Sequence, residues 1–146
     1  MANLISSDNQ DNKIYKHSGF TTTISDSFSS PSTSQRDISW DGTNLISCDD
    51  ITDKIYKHNG FAAAILDSFS SPSTNSRGVS GDGTNALTAE ASAINKIYKM
   101  SGFTSTISDS FSSPSTIQNG ISWDGTNLLS CDTNTDKIYK HNGFSA

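Results

Sequence analysis

The stretch DKIYKHNGF stands at positions 53–61 and recurs letter for letter at 136–144, with NKIYKHSGF ending at Phe20 and NKIYKMSGF ending at Phe103. Tyr15, Tyr56, Tyr98 and Tyr139 are spaced by 41, 42 and 41 residues, and Gly19, Gly60, Gly102 and Gly143 keep the same intervals. Such a chain uses one supersecondary unit several times over, and any fold proposed for it must fit inside that period. The single extra residue falls where DDITD becomes EASAIN, beside a turn, where an insertion costs least.

Periods near 40 residues belong to paired-helix arrays and to propeller blades. Helix is a poor fit, because the unit is rich in Ser, Thr, Gly and Asn and sustains no apolar stripe at i, i+3, i+4. Hydrophobic residues make up only 32% of the chain, a fraction that suggests disorder until one notes that Ile, Tyr and Phe hold fixed register. A sheet protein with polar turns has that property. Within DISWDGTNLISCDDITDKIYKHNGFAAAILDSFSSP, four short β-forming segments are divided by turn chemistry. ISW runs into Asp41-Gly42, a tight-hairpin dipeptide; NLISC comes next; KIYKH leads to Asn59-Gly60, a second hairpin signal; and ILDSF runs on to Pro72. Four antiparallel strands per repeat make one propeller blade.

The order of short strand, Asp-Gly, strand, polar loop, DKIY, Asn-Gly and fourth strand resembles blades of the NHL, YVTN and virginiamycin B lyase-like β-propellers over nearly the whole chain. It does not resemble a WD40 blade, since Trp40-Asp41 and Trp123-Asp124 fall in the first hairpin. The resemblance implies an all-β fold of four-stranded antiparallel blades whose first strand is innermost. Residues 1–146 then read as one repeat domain: a partial blade 3–36, blades 37–77 and 78–119, and a partial blade 120–146. In strand order a to d, the chain runs b-c-d, two full blades, then a-b-c, about 3.5 repeats. Propellers close with four to eight blades, so completion of the ring by a second copy is expected. Two copies supply seven repeat equivalents, yet a two-fold axis requires an even count, six or eight, with the duplicated b-c hairpin displaced or left in three-stranded blades. A four-bladed monomer is the alternative.

The formal net charge is −5 and Lys and Arg never stand side by side, so nucleic acid is not an expected partner. No segment is apolar for the length that spans a bilayer, and MANLISSDNQ lacks the n- and h-regions of a signal peptide; neither a membrane nor a particular compartment is indicated. Cys48 and Cys131 share a repeat position with Ser7 and Ala89, which points to a small buried site rather than a disulfide.

Several recurring side chains invite functional readings. His17, His58 and His141 share a position on strand c, away from the axis, where they cannot converge on a metal; a structural role is expected, and no metal or other cofactor. Asp132 to Asp136, DTNTD, has the opening spacing of a calcium loop, but its counterparts DNQDN, DDITD and EASAIN do not share it, and a solvated turn is the better reading. Asp26, Asp67 and Asp109 fall on the outermost strand, where charge guards an edge against aggregation. Trp40 and Trp123, with Asp41 and Asp124 after them, lie on the innermost strand and form the candidate ligand site, an aromatic platform with polar neighbours that suits a glycan. The competing role for these tryptophans is packing between blades. No nucleophile elbow, Cys/His pair or phosphate loop is present, and the chain has one glutamate, Glu90. The expectation is a non-enzymatic binding module or scaffold, with a fragment of a lyase- or lactonase-type propeller enzyme as the alternative.

Overall fold

A computed structural model describes residues 3–91 and 95–145. Among these residues all regular structure is β, in fourteen strands: β1 Ile5–Asp8, β2 Lys13–His17, β3 Ile24–Ser29, β4 Gln35–Trp40, β5 Leu45–Asp49, β6 Lys54–His58, β7 Ile65–Ser70, β8 Ser76–Gly81, β9 Ala86–Glu90, β10 Lys96–Met100, β11 Ile107–Ser112, β12 Gln118–Trp123, β13 Leu128–Asp132 and β14 Lys137–Lys140. They form four antiparallel sheets in meander order: β1-β2-β3, β4-β5-β6-β7, β8-β9-β10-β11 and β12-β13-β14. The first sheet is therefore b-c-d, the next two are complete, and the last is a-b-c. Strands β4, β8 and β12 pack against one another in series, which makes strand a the inner layer of the arc. Sequence boundaries for the blades run two residues late, since the inner strands begin at Gln35, Ser76 and Gln118. The extra two residues precede a β-bulge in each a-b pair, at Gln35/Asp37, Ser76/Gly78 and Gln118/Gly120, which alternation of side chains does not announce.

The turns depart from the expected tight hairpins. Residues 41–44 join β4 to β5, and the Asp41 N–H donates to the Asn44 carbonyl at 3.0 Å. Only Gly42 takes positive φ, at 102°; Asp41 instead turns its carboxylate back to accept from the Thr43 and Asn44 N–H groups at 2.9 and 2.7 Å. That is an Asx turn, an alternative the Asp-Gly signal does not separate from a two-residue hairpin. After Asn59-Gly60 the chain passes through residues 61–64 into β7, and a bulge between Lys57 and His58 shifts the register. Ahead of each strand c stands a left-handed Asn or Asp, at Asn12, Asp53, Asn95 and Asp136, the non-glycine types that tolerate that conformation most easily. The insertion in EASAIN falls on 92–94, outside the described residues.

The core lies between sheets. Ile46, Cys48, Ile55 and Phe69 of the second sheet meet Val79, Ala86, Met100 and Phe103 of the third. Leu87, Ala89, Ile97 and Phe111 of the third meet Ile121, Trp123, Leu128 and Phe144 of the fourth. The third blade thus offers one apolar face to the second and another to the fourth, and the same repeat positions serve both junctions. Cys48 and Ala89 are fully buried at the shared small-residue position, Cys131 is half-buried, Ser7 is exposed, and both cysteines are free thiols.

Candidate functional site

A cavity of about 480 Å³ opens between the first sheet and the second, where Leu4, Ile5 and Lys16 face Ile38, Trp40 and Phe61. Among the described residues the first sheet has no strand a, and the cavity lies where one would stand. At the later junctions β8 packs on β4 and β12 on β8, whereas β4 has only the edge of β1 as a neighbour on its other side. Trp40 is consequently 44% exposed, while Trp123 packs into the apolar cluster between the third and fourth sheets. The Trp123 N–H also donates to Ser80 Oγ of the preceding blade at 3.1 Å.

Of the four residues picked out as ligand contacts, then, the structure places Trp40 in an open pocket and Trp123 at a packed junction, in separate environments. Their aspartates are occupied with local structure. Asp124 repeats the Asx turn of Asp41, accepting from the Thr126 and Asn127 N–H groups at 2.8 and 2.6 Å. The Lys57 ammonium stands 3.2 Å from Asp41, and Lys140 stands 3.7 Å from Asp124. These interactions hold both carboxyls below the ordinary carboxylate range: for Asp41 burial pushes the other way but is outweighed by the turn amides and Lys57 together, and for Asp124 the turn amides lead.

The histidines are structural. His58 Nδ1–H donates to the Ala62 carbonyl at 3.0 Å, leaving Nε2 to accept from the Ser47 hydroxyl at 2.9 Å. His17 and His141 pair with Ser6 and Ser130 at 2.8 and 2.9 Å. Burial lowers the pKa of His58 and of His141, which favours the neutral ring at these two positions. An aromatic ring of the preceding blade covers each of the two, Phe28 against His58 at 5.3 Å and Phe111 against His141 at 5.1 Å. Asp132 of the DTNTD loop accepts from the Asn134 and Thr135 N–H groups and from the Thr135 hydroxyl at 2.8–3.0 Å, the same turn that Asp49 makes. Asp26, Asp67 and Asp109 are exposed on the outer-edge strands β3, β7 and β11. Among the described residues no cluster of three or more His, Cys, Asp or Glu could hold a metal ion.

Two acids have roles that the sequence reading does not assign. Asp37 stands on the inner strand β4, where its repeat equivalents are Gly78 and Gly120. Its carboxylate accepts from the Ile38 and Val79 N–H groups, both at 2.9 Å, and so bridges β4 to β8. Burial pushes its pKa up to about 7 against these hydrogen bonds and one from the Ile121 N–H. Glu90, fully buried, accepts from the Ser71 hydroxyl at 2.8 Å and from the Ser73 hydroxyl, tying the second blade to the third, and burial raises its pKa as well. The signal for both was departure from the repeat consensus: Asp among glycines, Glu among aspartates.

The outer rim of each junction repeats one aromatic motif. Phe28 meets Phe61, Phe69 meets Phe103 and Phe111 meets Phe144, edge to face at 4.8–5.0 Å. Lys16, Lys57 and Lys99 lie over the second ring of each pair at 5.6–5.9 Å. The equivalent ring of the first blade, Phe20, has no preceding blade and is 90% exposed.

Comparison with solved structures agrees with this architecture. The chain superposes on the computationally designed Ika4 protein with a TM-score of 0.67 at 8% identity, over 97% of this chain and 86% of that one. Against Myxococcus xanthus glutaminyl cyclase the TM-score is 0.71 at 11% identity, covering 94% of this chain and 67% of the cyclase. Against the β-propeller domain of Cps50 (Swd1) from Myceliophteria thermophila it is 0.65 at 14% identity, covering 96% of this chain and 50% of that one. No protein-family model and no curated protein sequence matches the chain. At such identities the likeness defines the fold alone: this is a β-propeller arc with two complete blades and a partial blade at each end.

Proposed function

We propose that the chain is a non-enzymatic β-propeller module of the NHL/YVTN type that associates with a second copy of itself and serves as a binding module or scaffold. The observation that carries the reading is Phe20, 90% exposed, where Phe61, Phe103 and Phe144 are each stacked by a phenylalanine of the preceding blade. A bare aromatic ring, the 37% exposed Leu4 beside it and the open Trp40 pocket together give the first blade the unpartnered half of a junction that the rest of the chain makes internally. Burying that face on a neighbour is the direct way to remove it from water. Phe20→Asp is the test. The variant should keep a β-dominated circular dichroism spectrum while losing any oligomer the wild type forms, and an unchanged oligomer would overturn the role of this face.

The exposure of Trp40 supports a second reading, a glycan site in the same pocket, in which the indole stacks on a sugar ring with Lys16 and Ser39 as polar neighbours. A glycan array separates the two. A lectin shows wild-type signal that Trp40→Ala abolishes and Trp123→Ala leaves in place; a bare scaffold shows no signal with any of the three proteins.

A further inference from the structure

We infer that the cavity beside β1 is a strand-acceptor groove, and that its occupant is β12 of a second copy, exchanged reciprocally so that two chains close one six-bladed ring. The inference rests on the self-association proposed above and specifies its geometry. The groove is the next step of an interface already present: β12 packs on β8, β8 on β4, and the groove is the position a further inner strand would take against β4.

The pairing partners on the two sides of the exchange are nearly the same. On its own sheet β12 pairs Gln118 with Asp132, Gly120 with Cys131, Ile121 with Ser130, Ser122 with Leu129 and Trp123 with Leu128. Carried back by repeat equivalence, the partners are Asp8, Ser7, Ser6 and Ile5 of β1 and Leu4 just before it. An Asp, a small residue, a Ser and two aliphatic residues recur in the same order. Exchange therefore keeps the ladder of β12, and it converts β1-β2-β3 into a full a-b-c-d blade. It also supplies a contact seen elsewhere in the chain. Ser80 Oγ accepts the Trp123 N–H across a complete junction, and Ser122 of the incoming strand would hold the same place against the Trp40 N–H.

Exchange brings the partner's third blade against Phe20, because that blade immediately precedes β12 in the chain. Phe111 and Lys99 of the partner then serve Phe20 as they serve Phe144 within one chain. Docking the intact last blade onto the first does worse. The last blade has no strand d to supply the phenylalanine, and the first has no strand a to supply the Val79- or Ile121-type residue, so both anchors of the interior junctions would be missing. Exchange within one chain would close only three blades, fewer than propellers use. The cost of the dimeric exchange is that β13 and β14 leave the ring as a spare hairpin.

The test uses full-length chains in which Cys48 and Cys131 are replaced by Ser, the residue found at the equivalent position 7. Chains carrying Ile5→Cys are refolded together with chains carrying Ser122→Cys and oxidised, beside a control mixture of Ile5→Cys with Ser80→Cys. A 5–122 disulfide-linked dimer, identified by mass spectrometry and several-fold more abundant than any 5–80 product, is expected. Ile138→Asp gives an independent readout that needs no cysteine: exchange leaves Ile138 outside the ring, so the dimer mass should not change. A dimer without the 5–122 link, or one that Ile138→Asp dissociates, overturns strand exchange and leaves the self-association proposal standing. A wild-type monomer overturns both.

Discussion

Ile97 and Ile138 occupy the same place on strand c of successive blades, yet one is fully buried and the other 79% exposed. Ile14 and Ile55, their equivalents in the first two blades, are as buried as Ile97. Nothing in the local sequence separates them, since each stands in a KIYK stretch. The difference lies in the adjoining blade: a later blade covers the first three isoleucines, and none covers the last. In a repeat array, burial belongs to the junction rather than to the repeat, so the interior and end blades should respond differently to the same substitution.

Ile97→Ala should give the largest effect, about 2–5 kcal/mol of lost stability, because it opens a cavity in the cluster that joins the third blade to the fourth. Ile138→Ala should stay within about 0.5 kcal/mol, as expected of a surface change. Urea denaturation of the two variants measures the contrast directly, and equal effects would break it.

Asp37 sharpens the comparison from the inner layer. Its pKa, raised by burial to about 7, means that the folded chain holds a proton which the unfolded chain releases near 4. The contribution of this group is therefore complete below pH 4 and is lost as pH climbs toward 7, by an amount on the order of 2–4 kcal/mol. Asp37→Asn keeps the shape and an acceptor for the Val79 N–H, and should flatten that part of the profile when denaturation midpoints are compared at about pH 4.5 and about pH 7.5.

Gly78→Ala should cost about 1–3 kcal/mol by overpacking, since a Cβ at this site would lie 3.0 Å from the Ile121 backbone nitrogen and 3.2 Å from the Ala89 Cβ. Gly120→Ala, whose Cβ would meet only the Cys131 sulfur at 3.4 Å, should cost less, and thermal melts of the pair would show it. The smallest effect is expected at the rim. Lys99 lies 5.9 Å from the Phe144 ring centre and 2.9 Å from Asp82, so Lys99→Ala should lose about 0.5–1 kcal/mol. Lys140, more exposed and with no later blade to place a ring beneath it in its own chain, should lose less still on the same change, by the same melts.

The sequence was most informative where the repeat is regular. Spacing of Tyr and Gly, β-forming residues in ISW and KIYKH, and the turn dipeptides place the strands of each unit, and the resemblance to propeller blades implies the order that leaves b-c-d and a-b-c at the ends. Bulges and Asx turns were not visible, because they depend on how Asp41, or the backbone around Gln35 to Asp37, satisfies its own hydrogen bonds. The surroundings of the candidate residues are less legible than the strands that carry them. The resemblance implies an inner-strand place for Trp40 and Trp123, which stand on β4 and β12, but identical motifs do not say that one faces a cavity and the other a packed junction; the strand a that the first sheet lacks among the described residues separates them. The role of Asp37 is not legible in the shared pattern, because it comes from being the exception at a position where Gly78 and Gly120 let the inner strands approach.

The claim on which the account depends is that the end blades complete one another between chains. Size exclusion coupled to light scattering, run on the full chain at micromolar concentration, tests it most directly. The account predicts a single species of twice 15.6 kDa, unchanged on several-fold dilution. A single species at 15.6 kDa would contradict it and would mean that the arc, with Phe20 bare and the Trp40 pocket open, is the whole folded object.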